Sequence, residues 1–364
     1  MLWPFLFEMN VKRILIILTL SMSTMASDFS KLETFLFKEK ANDLVTEQFL
    51  LYHEGKVKFE KFETGDRSTR HLLWSMSKSI GSLLFGVAQD RGFIKKSDLI
   101  SKFYATEIAA LSKNQQKDLN KIKIEHLLEM SSGLDWNEYY EESPFNSNVV
   151  RMLYFSTKKS TPNYVLKTLK HTMAGKRFHY SSGDTNLLMG AIARSLPKEL
   201  KEVYPWVFLF DKLGINATFE RDAEGNFLAS SYVYMSTEDL LKLGVFVMNK
   251  GIYKGEQVVS KEYMEYATSL NGSFNYSDNC KHHTNMTYGA QFWLNIPCPN
   301  QKKNISSAPK DMIMMLGHGG QSIFIFPTQK IVAVRVARDS GNKLDKNTYV
   351  GLIMEYLGMN GESL

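Results

Sequence analysis

The sequence predicts an α/β chain of the α+β kind, with an antiparallel sheet built from both termini and a mainly helical region inserted between them. Three observations predict it. β-rich runs lie near the N-terminus in FLLYHEGKVKFEKF (Phe49 to Phe62). Others fill the last third, in YGAQFWLNI, SIFIFP and KIVAVRVA. Between them, from Ser75 to about Leu243, apolar residues mostly recur at helical spacing. A length of 364 residues suffices for one large domain or two smaller ones. No repeat or low-complexity linker divides the chain, so the expectation is a single domain over 27–364. Its sheet-bearing body takes about 45–90 and 240–364, and its helical region about 91–239.

The N-terminus carries a basic pair, Lys12 and Arg13, then ILIILTL (Ile14 to Leu20), then SMSTMA with small Thr24 and Ala26 at −3 and −1. That is the layout of a signal peptide over 1–26, removed on export. The apolar run is shorter than the roughly 20 residues a bilayer span needs, so no membrane span is expected after removal. No cysteine follows it to take a lipid anchor. MLWPFLFE precedes the basic pair, and Met9 is an alternative start. The expected location is periplasmic or secreted.

Residues 31–48 have helical periodicity in Leu32, Phe35, Leu36, Leu44 and Val45. The next run folds as a hairpin around His53-Glu54-Gly55-Lys56. IEHLLEMSSG reads as a helix ended at Gly133, and DTNLLMGAIARSL as another. SIFIFP and KIVAVRVA are separated by the turn Pro327-Thr328-Gln329, and a closing helix is expected at about Tyr349 to Leu357.

A net charge of +6 is spread over a Lys-rich sequence without the dense basic stretch that tracks phosphates, which argues against a nucleic-acid partner. The only two cysteines, Cys280 and Cys298, lie close together in a loop-like stretch. In an oxidising compartment they suit a disulfide. The rival is a metal site with His282 and His283, but the spacing matches no standard zinc pattern, and no metal is expected.

Three short stretches carry chemistry. In HLLWSMSKSI, Ser75 and Lys78 stand at i and i+3, where a helix places them on one face. A serine hydroxyl becomes a nucleophile when a neighbouring base takes its proton, and a lysine is such a base when burial depresses its pKa. The pattern alone is weak, since S-x-x-K also begins at Ser156, Ser195, Ser307 and Ser340. Only Ser75 opens an apolar helix (Ile80, Leu83, Leu84, Phe85, Val87). In HYSSGDTNLLMG, Tyr180 precedes a small-residue turn, where its hydroxyl can work as an acid or base or merely pack a helix entrance. In GHGGQSIFIF, Gly319 and Gly320 allow close backbone approach to a ligand, or simply a turn into a strand. The N–H of Gln321 can join an oxyanion hole there.

Taken together and in order, these stretches resemble the serine β-lactamase and penicillin-binding superfamily, in its class C-like branch. Ser75/Lys78 stand for S-x-x-K, Tyr180/Ser182 for Y-x-N or Y-x-S, and His318/Gly319/Gly320 for K-T-G or H-x-G. The YHEGK hairpin, IEHLLEMSSGLDW, ASSYVYMSTEDLLKLG and YGAQFWLN extend the likeness over roughly residues 45–355. It implies a β-lactamase/transpeptidase-like fold and a Ser75 nucleophile.

Ser182 replaces the amide that contacts an acylamino group, and His318 the lysine that holds a substrate carboxylate. Both changes weaken recognition of penicillins and D-alanyl peptides. The Y-S-S and H-G-G pair with WNEYYEES is most similar to 6-aminohexanoate-dimer hydrolases and class C-type esterases. There a loop tyrosine, matched by Tyr140 before Tyr139, closes over substrate.

The resemblance implies an exported hydrolase of small ester or amide substrates that needs no cofactor. Lys78 and Tyr180 would serve as base, the N–H groups of Ser75 and Gln321 would hold the oxyanion, and His318, Gly319, Gly320, Ser182 and Tyr140 would bind substrate. The alternatives are a β-lactamase or D-Ala-D-Ala carboxypeptidase, and a non-catalytic binding protein of the same fold. Oligomeric state is left open.

Overall fold

In the computed structural model, residues 29–38, 44–140, 145–156, 159–168, 173–275, 280, 286–341 and 343–359 are described. The expected signal peptide lies outside these residues, as do His282 and His283. Strands β1 (Thr46–His53) and β2 (Lys56–Phe62) form the predicted hairpin, turning through Glu54 and Gly55, both at positive φ. Strands β3 (Arg70–Leu72), β4 (Thr218–Phe219) and β5 (Val233–Ser236) make a small sheet in the order β3-β5-β4. A further short hairpin pairs β6 (Ile252–Tyr253) with β7 (Glu256–Gln257). The last third supplies β8 (Thr287–Tyr288), β9 (Trp293–Leu294), β10 (Ile313–Leu316), β11 (Ser322–Phe326) and β12 (Ile331–Ala337).

The main sheet has seven strands in the order β2-β1-β12-β11-β10-β9-β8. N-terminal β1 pairs antiparallel with C-terminal β12, Leu50 opposite Val334, so the two ends of the chain close one sheet. Alternation along the strands sorts side chains onto two faces. Leu50, Ile323, Ile325, Val332 and Val334 face the inserted helical region and its large core. Phe49, Leu51, Met314, Phe324, Phe326 and Ala333 face a second core shared with both terminal segments.

Four helices position the site or cover the sheet: α1 (Ser77–Asp90), α2 (Ser182–Ser195), α3 (Thr237–Met248) and α4 (Lys346–Tyr356). α1 is buried from Ser77 to Ala88, so its hydroxyls need protein partners. Ser77 Oγ donates to the Ser231 carbonyl at 3.2 Å, Ser79 Oγ to Gln291 O at 2.6 Å, and Ser82 Oγ to Ala290 O at 2.7 Å. The small polar residues of SMSKSIGS thus let a helix of modest amphipathicity lie wholly inside the molecule.

Several expectations shift. The helix predicted over 31–48 is present at its start, over Ser30–Glu33 and Thr34–Lys38, but Thr46 to Gln48 already belong to β1. The helix expected to run to Gly133 stops at Leu128, because Met130 takes a φ of +55°. Strand β10 was not anticipated. Its sequence IMML does not alternate because both its faces meet apolar cores. Gly319 and Gly320 lie in the turn His318–Gly320 between β10 and β11, which leads directly into β11 at Ser322.

Candidate active site

Ser75 sits in a single 3-10 turn, Trp74–Met76, that runs directly into α1. Trp74 has a φ of +50°, an uncommon conformation for a side-chain-bearing residue, of the kind that clusters at functional sites. The turn is fixed from two sides. Leu73 N donates to Val233 O at 2.9 Å, and its carbonyl lies against Gly317, where a Cβ would come within 2.3 Å of it. Gly317 is therefore a close-approach glycine that seats the β10–β11 turn against the Ser75 turn. As the start of a helical run, Ser75 keeps its N–H free of an intrahelical acceptor.

Lys78 is 1% exposed, and its Nζ makes three hydrogen bonds. It meets Ser75 Oγ, Ser182 Oγ and the Ser230 carbonyl oxygen, each at 2.9 Å. Burial lowers its pKa to about 8, and the charge of Glu138, with Oε1 at 3.9 Å, works in the opposite direction. The Lys78 ammonium also lies over the Tyr180 ring, 4.9 Å from its centroid. Burial is the main cause that raises the Tyr180 pKa. Glu138 adds to it, and a hydrogen bond with Ser75 opposes it. The Tyr180 ring stacks on Trp293 at 5.3 Å.

Glu138 is the residue that sequence reasoning missed. Its carboxylate accepts from Ser182 Oγ at 2.5 Å, Ser182 N at 2.9 Å and Trp136 Nε1 at 2.5 Å. The only available signal was its place in WNEYYEES, where three glutamates compete.

Ser182 corrects an expectation. It opens α2 behind its N-cap, Ser181, and is fully buried. Its hydroxyl is spent between Lys78 and Glu138, so it does not line the cleft as a substrate contact. Tyr140, not Tyr139, faces the site. Its ring meets Trp74 at 5.9 Å and His318 at 5.1 Å, whereas Tyr139 is 65% exposed.

The cleft over Ser75 has a volume of about 260 Å³. Glu138, Tyr140, Tyr180 and the turn from Gly317 to Gln321 line it. Gly319 and Gly320 take φ of +69° and +82°. Behind Gly320 the Arg335 guanidinium forks onto Asp339, with contacts of 2.6 and 2.8 Å, and donates to Gly320 O at 3.1 Å. A Cβ on Gly320 would fall 2.1 Å from Asp339 Oδ2, so this turn accepts only glycine. Gln321 donates its side-chain amide to Ala337 O, which holds the start of β11 in place. Cys280 and Cys298 are joined by a disulfide beside Phe178 and Tyr288.

These features agree with comparison to known proteins. The beta-lactamase family matches residues 41–353. The 6-aminohexanoate-dimer hydrolase of Paenarthrobacter ureafaciens is 24% identical over 312 residues, covering 82% of this chain and 74% of its own. Solved structures include a Bacillus anthracis protein provisionally assigned as a 6-aminohexanoate-dimer hydrolase, with a TM-score of 0.68 and 19% identity, covering 89% of this chain and 82% of that one. EstCE1, a hydrolase with promiscuous acyltransferase activity, has a TM-score of 0.68 at 13% identity, covering 90% of this chain and 98% of that one. At such identities these structures speak to fold alone. The family match spans most of the sequence, and the chain belongs to the beta-lactamase family of hydrolases.

Proposed function

We propose that this protein is a serine hydrolase that cleaves ester or amide bonds through an acyl-enzyme on Ser75. The observation that carries this reading is the bonding of Lys78. The Ser230 carbonyl can only accept, and the Ser182 hydroxyl is an acceptor toward Lys78 because its proton goes to Glu138. Two N–H bonds of the amine are thereby committed. In its neutral form the remaining position, the lone pair, points at Ser75 Oγ, the only partner of the three with a proton to give.

The reaction follows from that aim. Lys78 takes the Ser75 proton as Oγ attacks the carbonyl carbon, and the N–H groups of Ser75 and Gln321 hold the oxyanion. The Tyr180 phenol, its pKa raised by burial, stays protonated and works as a donor and relay. It passes a proton to the leaving group while Lys78 replaces it. Water then enters, its proton returns along the same path to Lys78, and Ser75 regains its hydroxyl as the acid departs.

His318 stands beside Trp74 and Tyr140 in the cleft, where it offers an aromatic wall. That favours an esterase or amidase over a β-lactamase or D-alanyl peptidase. The test compares kcat/KM for p-nitrophenyl butyrate with that for a penicillin. The ester is expected to lead by at least about tenfold, about 1.4 kcal/mol in transition-state binding. A lead of that size for the penicillin would replace this reading by the lactamase one.

A further inference from the structure

We propose that the Cys280–Cys298 disulfide positions Tyr180, so that the proton relay to the leaving group is complete only when the bond is closed. The inference rests on the hydrolase reading and adds a redox control to that site.

Tyr180 is held through its ring, which belongs to an aromatic stack. It stacks on Trp293 at 5.3 Å and meets Tyr288 edge-on at 6.0 Å. Tyr288 and Trp293 pack on each other at 4.7 Å. Phe178, two residues before Tyr180, joins these two at 5.3 and 6.3 Å and reaches Phe274 at 5.1 Å. Both cysteines lie in the buried cluster of Met130, Phe178, Phe274 and Tyr288, against which Tyr180 and Trp293 pack. His179 N donates to Met130 O at 2.7 Å, so the backbone beside Tyr180 is fixed to the same cluster. The disulfide and the Tyr180 ring thus share one packed unit.

The strands that carry two of these rings are the shortest of the main sheet. β8 and β9 have two residues each, and β8 is an edge strand. β9 meets β10 at two positions, Leu294 opposite Ile313 and Trp293 opposite Met314. Strands that short are marginal without further support. The disulfide supplies it. Cys280 precedes β8 and Cys298, 18 positions on, follows β9, so the cross-link closes the loop that contains both strands. Gln301 ties the two ends again, its backbone N–H donating to Cys298 O at 3.0 Å and its side-chain amide to Cys280 O at 3.1 Å. A closed loop has fewer alternative conformations than an open one, which keeps Tyr288 and Trp293 where the Tyr180 ring needs them.

The bond forms as the two thiols give up two protons and two electrons to an external disulfide, itself reduced to two thiols. Opening it leaves the Ser75 turn and α1 packed in the large core through Leu73, Met76, Ile80 and Leu83. What loosens is the Tyr180 ring, and with it the delivery of a proton to the leaving group. The relay is therefore completed where such bonds persist, in an oxidising compartment.

The test uses two esters of one acid. p-Nitrophenolate leaves with little help from an acid, whereas ethoxide must be protonated as it leaves. The kcat/KM of ethyl butyrate therefore depends on Tyr180 far more than that of p-nitrophenyl butyrate. The disulfide is opened in two ways. One is reduction of the native protein by a phosphine, which becomes its oxide as water supplies the oxygen and the two thiol protons. The other is the double variant Cys280→Ala/Cys298→Ala. In both, the ratio of kcat/KM for p-nitrophenyl butyrate to that for ethyl butyrate is expected to rise about tenfold. In Tyr180→Phe the ratio should already be raised, and reduction should not raise it further. Each ratio is internal to one sample, so a general loss of active protein does not imitate the effect.

An unchanged ratio in both opened forms, or a further rise on reducing Tyr180→Phe, would overturn the proposal. So would collapse of the far-UV circular dichroism on opening, since the bond would then hold the whole fold rather than the relay. Turnover of p-nitrophenyl butyrate but not ethyl butyrate by the oxidised protein would also overturn it. If neither ester turns over and a fluorophosphonate fails to label Ser75, the hydrolase reading beneath it falls instead.

Discussion

At the residue scale the site turns on the charge of one amine. In the proposed mechanism Lys78 must be neutral to accept the Ser75 proton, and its pKa of about 8 sits close to working pH because burial and Glu138 act against each other. The rate should therefore rise with pH as Lys78 loses its proton. Removing the Glu138 charge takes away the group that favours the ammonium, so the Lys78 pKa falls. In Glu138→Gln the ascending limb of kcat/KM is expected to move toward acid, raising the rate at about pH 6 relative to that at about pH 9. The absolute rate should also drop. The side-chain amide would set an N–H donor where Trp136 and Ser182 now donate. A limb that stays in place or moves toward alkali would mean that a group other than Lys78 is the base.

At the element scale the His318–Gly320 turn depends on what lies behind it. Arg335 is fully buried in β12 and is paired with Asp339, which also accepts from Val45 N at 2.8 Å. A buried ion pair contributes little net stability when complete, but losing one partner strands the other charge away from water. Asp339→Ala is expected to lower unfolding stability by about 3–5 kcal/mol, read as the midpoint shift in urea. Catalysis should suffer as well, since the Asp339 carboxylate holds the Arg335 guanidinium that donates to Gly320 O at 3.1 Å. A loss below about 1 kcal/mol, the range of a surface pair, would show that the turn holds itself.

At the scale of the whole molecule, the legible parts of the sequence were those where local pattern and tertiary demand coincide. Ser75 and Lys78 could be read because S-x-x-K opens a continuous apolar helix, and the closing of β1 on β12 because both runs are β-rich. Glu138 could not be read. Only the fold brings it to Ser182, 44 residues away, and nothing in WNEYYEES distinguishes it from Glu141 or Glu142. Strand β10 was hidden by burial on two faces.

Export belongs to this scale too. We propose that the segment before Ser27 is removed, a reading that suits the Cys280–Cys298 disulfide, since such bonds persist in oxidising compartments. The intact mass of protein from its native host should match a chain starting near Ser27, and a mass that retains Met1 or Met9 would contradict it.

The central claim is a covalent acyl-enzyme on Ser75. The protein is mixed with p-nitrophenyl acetate, quenched in acid within the burst, digested, and its peptides weighed. The account predicts an acetyl group on the peptide holding Trp74 to Lys78, assigned to Ser75, and neither burst nor adduct in Ser75→Ala. An adduct on another residue, or a burst that survives in Ser75→Ala, would contradict it.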